Sequence, residues 1–336
     1  MNSRFVFASV AVILPILTGC TTQDNGTLET VRVGYFPNIT HAQPLVGLAD
    51  GSFQKELGDV EIETFTFNAG PAEIEALFAD QIDIAYIGPS PALNGFVQSE
   101  GAALKIVAGS MSGGASFVVQ PELAAAYRTA GDSAFIGKTF ASPQQGNTQD
   151  VSLRTYFQSK GLLEQVTISP MANADQISLF QQQQLDGSWV PEPWVSRLVS
   201  EAGGEVLVDE RDLWPNGSFA TTVIIVSNDF LEQHPDVVKQ WLTAHVTVTD
   251  WINAHPTEAQ AIVNTEIEKL TGAALDETVL ANAWERLDPT YVPDQTSIDI
   301  FRGQAETLGF IQAAGLDFNQ LYDFSLLSEI TGQEYQ

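Results

Sequence analysis

The stretch Gln81–Leu93, QIDIAYIGPSPAL, restricts what this chain can fold into more than any other. An apolar run (Ile82, Ile84, Ala85, Tyr86, Ile87) stops at Gly88-Pro89-Ser90-Pro91, after which Ala92, Leu93, Phe96 and Val97 recur at helical spacing. A buried strand therefore hands over to a helix through a four-residue polar turn. Ser90 falls at the helix cap, where its hydroxyl either accepts from free first-turn N–H groups or joins them in donating to a bound oxyanion. Both readings stay open for this unit taken alone.

The rest of the chain repeats the arrangement. Val31–Tyr35 reads as a first strand, followed by the loop Phe36–Thr40 and a helix from about His41 to Leu48. Val60–Phe67 alternates as a second strand, Pro71 opens a helix, and Leu104–Ala108 is a fourth strand. Ser110–Ser116 reads as a Gly/Ser-rich loop before a strand at Phe117–Gln120. Then Thr139–Ala141, the polar loop Ser142–Asn147 and a helix opening near Thr148 repeat the strand, small polar loop and helix start. Thr167–Met171, Gly187–Val190, Val206–Val208 and the β-branched run Thr221–Ser227 supply further strands, with the Gln-rich helix Ala174–Gln184 among them. From Asn228 on the pattern is helical, with Trp241, Trp251 and Trp284 as core residues. Alternation of this kind implies a mostly parallel sheet with both faces covered and ligands beyond the carboxyl ends of its strands.

The 336 residues are 44% hydrophobic and 17% charged, which suggests two domains of ordinary size. Net charge is −28, and the 14 Lys and Arg are scattered singly, so nucleic acid is a poor partner. Arg4 and the apolar run Phe5–Ile16 have the size of a signal h-region and are too short to span a bilayer. Leu17-Thr18-Gly19-Cys20 resembles the bacterial lipobox, in which the Cys is acylated and becomes the new N-terminus. Residues 1–19 are then a signal peptide and 20–30 a lipidated tether, holding the protein at a membrane in the periplasm or on the cell surface. Cys20 is the only cysteine, which removes intrachain disulfides, Cys-rich metal sites and a cysteine nucleophile.

Four segments carry a wider resemblance: VRVGYFPNITHAQPLVGLADGSF, NAGPAEIEALFADQIDIAYIGPSPAL, DGSWVPEPW and DFLEQHPDVVKQWLTAHVTVTDWINAHPTEA. In this order they resemble the substrate-binding proteins of ABC importers for nitrate, taurine and aliphatic sulfonates. The resemblance implies a type II periplasmic-binding-protein fold: two α/β lobes joined by two hinge strands, with a helical C-terminal region. Residues 31–116 and 221–336 would form lobe one and 117–220 lobe two, with hinge strands near Phe117–Val119 and Thr221–Ile225. Tyr35, Phe36 and Asn38, Gly88 and Ser90, and Ser112–Ser116 with Ser116 foremost would line one wall of the cleft. Asn147 and Thr148, with Trp189, Glu192 and Trp194, would line the other.

No Lys or Arg falls in these loops, so an oxyanion would be held by the Ser90, Ser116 and Thr148 hydroxyls and by N–H groups at helix starts. Glu192, stiffened by Pro191 and Pro193, either meets an ammonium group, as of taurine, or caps a helix. The expected role is a non-enzymatic receptor without cofactor or metal, acting as a monomer. It would deliver a sulfonate-like solute to a permease with a cytoplasmic ATPase. Nitrate, bicarbonate and a thiamine-precursor-like solute are alternatives within the same class. Enzyme readings are weaker: Ala92 stands where a nucleophile elbow needs its second Gly, and His41, the one candidate base, reads as a surface or loop histidine. The four histidines His41, His234, His245 and His255 lack metal-ligand spacing.

Overall fold

The computed structural model describes residues 28–312 and 315–335. The signal segment, Cys20 and most of the tether lie outside the described residues. Eleven strands are present among them: β1 Thr30–Tyr35, β2 Glu61–Thr66, β3 Ile84–Ile87, β4 Leu104–Gly113, β5 Ala115–Val119, β6 Thr139–Ser142, β7 Thr167–Pro170, β8 Gly187–Pro191, β9 Glu205–Asp209, β10 Ala220–Ser227 and β11 Leu287–Pro289. They form two sheets, ordered β11-β4-β10-β3-β1-β2 and β7-β6-β8-β5-β9. Each sheet has apolar clusters on both faces. Val31, Val33 and Tyr35 lie in one cluster of the first sheet, and Ala85, Ile87 and Phe96 in the other. Phe117 and Val118 fall similarly into the two clusters of the second sheet.

Three expectations need correction. The sheets are mixed: β1 runs parallel to β2 and β3, and β6 parallel to β7 and β8, whereas β10 and β5 are antiparallel to both of their neighbours. Strands linked by a crossover helix come out parallel; those that enter from the other half of the molecule are under no such constraint. The Ser110–Ser116 segment is strand rather than loop, because its small residues lie buried within β4 and β5. The chain passes from the first sheet to the second at Gly113-Gly114, both at positive φ, and back between Asp209 and Ala220. Phe117–Val119 and Thr221–Ile225 therefore lie inside the sheets and not at the crossings. The C-terminal part is helical except for the short β11, which extends the first sheet.

A buried polar chain fixes the long helix Pro235–Ala254 against the first sheet. Trp241 Nε1–H donates to Tyr86 Oη at 3.2 Å, and His245 pairs through Nδ1 with Tyr86 Oη at 3.2 Å and through Nε2 with Gly109 O at 3.0 Å. Tyr86 and Trp241 are fully buried, so each polar edge needs its partner.

Candidate functional site

Three helix starts converge where the two sheets face each other. After β1, Asn38 caps a single 3-10 turn, its Oδ1 accepting from Thr40 N–H at 3.0 Å. After β3, Gly88 is the N-cap of the helix Pro89–Gln98. After β6, Asn147 caps the helix Thr148–Ser159, with Oδ1 accepting from Thr148 N–H at 2.7 Å. Asp150 holds the turn before that helix, accepting from Ser142 Oγ at 2.7 Å, Gly146 N–H at 3.0 Å and Arg154 Nε at 2.9 Å. At Asn38 and Asn147 the arrangement is local: a short polar residue after a strand satisfies a first-turn N–H group that a helix leaves free, whereas Gly88 makes no side-chain cap.

The two halves touch at these starts. Ser90 N–H donates to Thr148 Oγ1 at 3.4 Å, and a Cβ placed on Gly88 would lie 2.4 Å from the same oxygen. Only glycine at position 88 lets the second half come this close. The cleft is lined from the first sheet by Phe36, Asn38, Thr40, His41, Asn68 and Gly88, and from the second by Asn147, Thr148, Gln149, Asn173 and Pro191. Thr221 and Thr222 of β10 close the set. About 20 Å3 is free inside, the room of about one water molecule. The cleft must widen to admit any solute larger than that.

Among the described residues that line it, none is Lys, Arg, Asp or Glu. The site therefore works with neutral donors and backbone dipoles. His41 is fully buried, which pushes its imidazole down to about 3, so the ring is neutral. Its Nδ1 accepts from Phe36 N–H at 3.2 Å, which leaves the proton on Nε2 as a donor. The His41 ring also lies 4.4 Å from the Phe36 ring, giving the cleft one aromatic wall. His41 is thus a buried cleft residue, contrary to the surface position expected of it.

The structure brings Phe36, Asn38, Gly88, Asn147 and Thr148 together, with the Ser90 backbone N–H at the same contact, and places the remaining expected residues elsewhere. Ser90 lies within the first helical turn and not at the cap; its backbone N–H faces Thr148, while its buried hydroxyl has no partner among the described residues. Tyr35 packs into the core with Val31 and Val33, following the two-residue alternation of β1. Ser116 is buried in β5, its hydroxyl without a partner among the described residues. Trp189 stacks on Phe117 at 5.4 Å in the second core and donates to Glu210 Oε2 at 2.6 Å. Trp194 lies under the Arg197 guanidinium, 4.7 Å from the ring centre.

Glu192 caps the helix Trp194–Ala202. Its Oε2 accepts from Ser196 N–H and its Oε1 from Ser196 Oγ, both at 3.0 Å. Arg286, from the part of the chain that joins the first sheet, donates to Oε1 at 2.9 Å. The carboxylate is fully buried and ties the halves together beside the Gly113-Gly114 crossing, where Glu192 N–H also donates to Gly114 O at 2.7 Å. Burial raises its pKa, while Ser196 and Arg286 oppose the rise.

Asn68, Asn173, Gln149 and Thr40 are cleft residues that motif reading passed over, while Pro191 falls in the Trp189–Trp194 loop expected to line the cleft and Thr221 and Thr222 in an expected hinge strand. Asn68 and Asn173 follow β2 and β7 and precede or open helices, so the rule used for β3 and β6 finds them when applied to every strand. Thr222 carried no such signal; its Oγ1 donates to Thr40 O at 3.0 Å, a contact across 182 positions.

Two half-molecules of mixed sheet, joined at two crossings and meeting over a polar cleft, form a two-lobed α/β protein of the periplasmic-binding-protein type. Residues 24–267 match the NMT1-like family, and the chain belongs to it. It is 26% identical over 313 residues to a putative aliphatic sulfonates-binding protein of Bacillus subtilis (strain 168), covering 90% of this chain and 87% of that protein. Its fold is shared by the alkanesulfonate-binding protein SsuA from Xanthomonas axonopodis pv. citri bound to MOPS, with TM-score 0.68, 18% identity and coverage of 90% and 97%. The periplasmic nitrate-binding protein NrtA from Synechocystis PCC 6803 is similar at TM-score 0.74, 14% identity and coverage of 91% and 89%.

Proposed function

We propose that the chain is a non-enzymatic extracytoplasmic receptor that captures a small sulfonate in this cleft and passes it to an ABC permease. The first sheet with its helices acts as one lobe and the second sheet with its helices as the other, divided at Gly113-Gly114 and between Asp209 and Ala220, and Cys20 carries the lipid that retains the protein at the membrane. The observation that carries the reading is the meeting of Ser90 N–H, Gly88 and Thr148 Oγ1 across a cleft whose described lining is polar and uncharged. Closure there surrounds a bound group with donors from both sides. Three helix starts favour negative charge locally, and no lining carboxylate opposes it.

The same chemistry separates two sulfonates. Taurine carries an ammonium, and Glu192, the one carboxylate expected to meet it, is committed to Ser196 and Arg286. An ammonium enclosed without a charged partner loses its hydration uncompensated. An alkanesulfonate without an amine therefore fits the cleft better than taurine. Calorimetric titration with ethanesulfonate, taurine, sulfate, nitrate, bicarbonate and thiamine precursors tests this. Ethanesulfonate is expected to bind tightest, and tighter binding of taurine refutes the assignment. A second reading rests on the Phe36–His41 rings and the asparagine-rich lining, which suit a neutral heteroaromatic ring with donor and acceptor edges. Binding of the thiamine precursors alone in the same panel would select it.

A further inference from the structure

The helix Thr148–Ser159 takes part in two pockets. Its first turn lines the cleft, and its later turns line a separate pocket of about 200 Å3, closed by the 210–215 turn and by the helix Gln295–Thr307. We infer that this second pocket is a ligand site for a small primary ammonium.

The buried polar atoms offered there include a carboxylate, an amide oxygen and a hydroxyl that can each accept. Glu210 is 1% exposed, and its oxygens accept from Ser152 Oγ and from Trp189 Nε1, each at 2.6 Å. These donors are neutral, as is the Trp214 indole that also hydrogen-bonds the carboxylate, and among the described residues Glu210 has no ion-pair partner, whereas the adjacent Asp209 is paired with Arg211. Thr155 Oγ1 and Gln304 Oε1, on opposite walls of the pocket, are buried and have no hydrogen-bond partner among the described residues. Unpaired polar atoms of this kind are rare inside proteins, and two on one pocket beside a carboxylate point to a missing donor.

An ammonium supplies three N–H donors and the positive charge that Glu210 lacks. Tyr156 and Trp214 add aromatic faces, which attract a cation and accommodate a short alkyl chain. An anion is opposed by the carboxylate, and an alcohol brings only one donor for the unpaired acceptors. None of the residues lining this pocket lines the cleft, so the two sites bind solutes of opposite charge preference on one helix.

The test is a titration of the intact 15N-labelled protein with n-propylammonium chloride at about pH 8, where Glu210 is ionised, and at constant ionic strength, read at the indole N–H resonances of Trp189 and Trp214. Saturable shifts are expected with n-propylammonium and not with n-propanol. Glu210→Gln, which keeps the shape of the side chain and removes its charge, is expected to weaken binding about tenfold or more. Gln304→Leu removes one orphaned acceptor from the outer wall and is expected to weaken it as well. Shifts that do not saturate, or that propanol reproduces, overturn the inference. So does full affinity in Glu210→Gln; should that variant fail to fold, full affinity in Gln304→Leu overturns it instead.

Discussion

Adding one methyl group at Gly88 tests the cleft directly. The Gly88 backbone, at φ −70 and ψ 152, is a conformation that alanine adopts freely, so Gly88→Ala is not strained within its own half. In the closed arrangement the new Cβ meets Thr148 Oγ1 at 2.4 Å, while the next neighbours, Thr148 Cβ at 3.4 Å and Pro91 Cδ at 3.7 Å, are ordinary contacts. A single atom of the opposite half thus carries the whole clash. Thr148 cannot turn away cheaply, because it is β-branched and its Oγ1 accepts from Ser90 N–H. Overpacking of this size costs about 1–3 kcal/mol, which corresponds to a loss of about 5- to 150-fold in solute affinity. Calorimetry with the solute identified from the panel measures it. In Gly88→Ala/Thr148→Ala the clashing oxygen is gone, so affinity should return to that of Thr148→Ala alone. Wild-type affinity in Gly88→Ala, or simple additivity of the two changes, would show that closure does not run through this contact.

Other outcomes follow from the same contacts. Glu192→Gln should lower the melting temperature by a few degrees, reflecting about 1–3 kcal/mol from a weakened buried pair, and leave solute affinity within about threefold; a large affinity loss with unchanged melting would put the side chain back in the binding site. His245 is held neutral by burial, its pKa lowered from 6.5 to about 4. The unfolded chain therefore binds a proton that the folded one does not between these values, and stability falls by about 1.4 kcal/mol per pH unit from this group as pH drops from about 6.5 to 4. Urea midpoints over that range should drop less steeply in His245→Gln than in the parent, and equal slopes count against the assignment. Glu210 acts in the opposite direction: burial lifts it to about 7, so its favourable protonated form is complete below pH 4.5 and lost as pH rises through 7. Glu210→Gln should accordingly flatten the decline in stability between about pH 4.5 and 7. Cys20→Ser should release the protein from membranes without changing solute binding, and continued retention would indicate an uncleaved anchor instead.

Legibility differed by residue for physical reasons. The Thr148 start could be read because a strand, a short polar loop and a helix are all set by neighbouring residues. Tyr35 was misassigned although β1 shows the answer: Val31, Val33 and Tyr35 alternate onto one face, and the residue facing the cleft is Phe36. Glu192 could not be resolved in this way, since its partner Arg286 lies 94 positions further along the chain. His41 looked like a loop histidine because nothing in its neighbourhood shows that Phe36 and the second half enclose it.

By itself the amino-acid sequence determined most of the succession of strands and helices and the polar turns between them, because periodicity and capping act over a few residues, but not that Ser110–Ser116 is strand or that β11 exists. Tertiary structure alone decided that Gly88 is compressed against Thr148, that Glu192 serves as a strut beside the crossing, and that β5 and β10 run against their neighbours. These depend on contacts between distant segments, and a side chain's burial and charge partner exist only once both halves are in place.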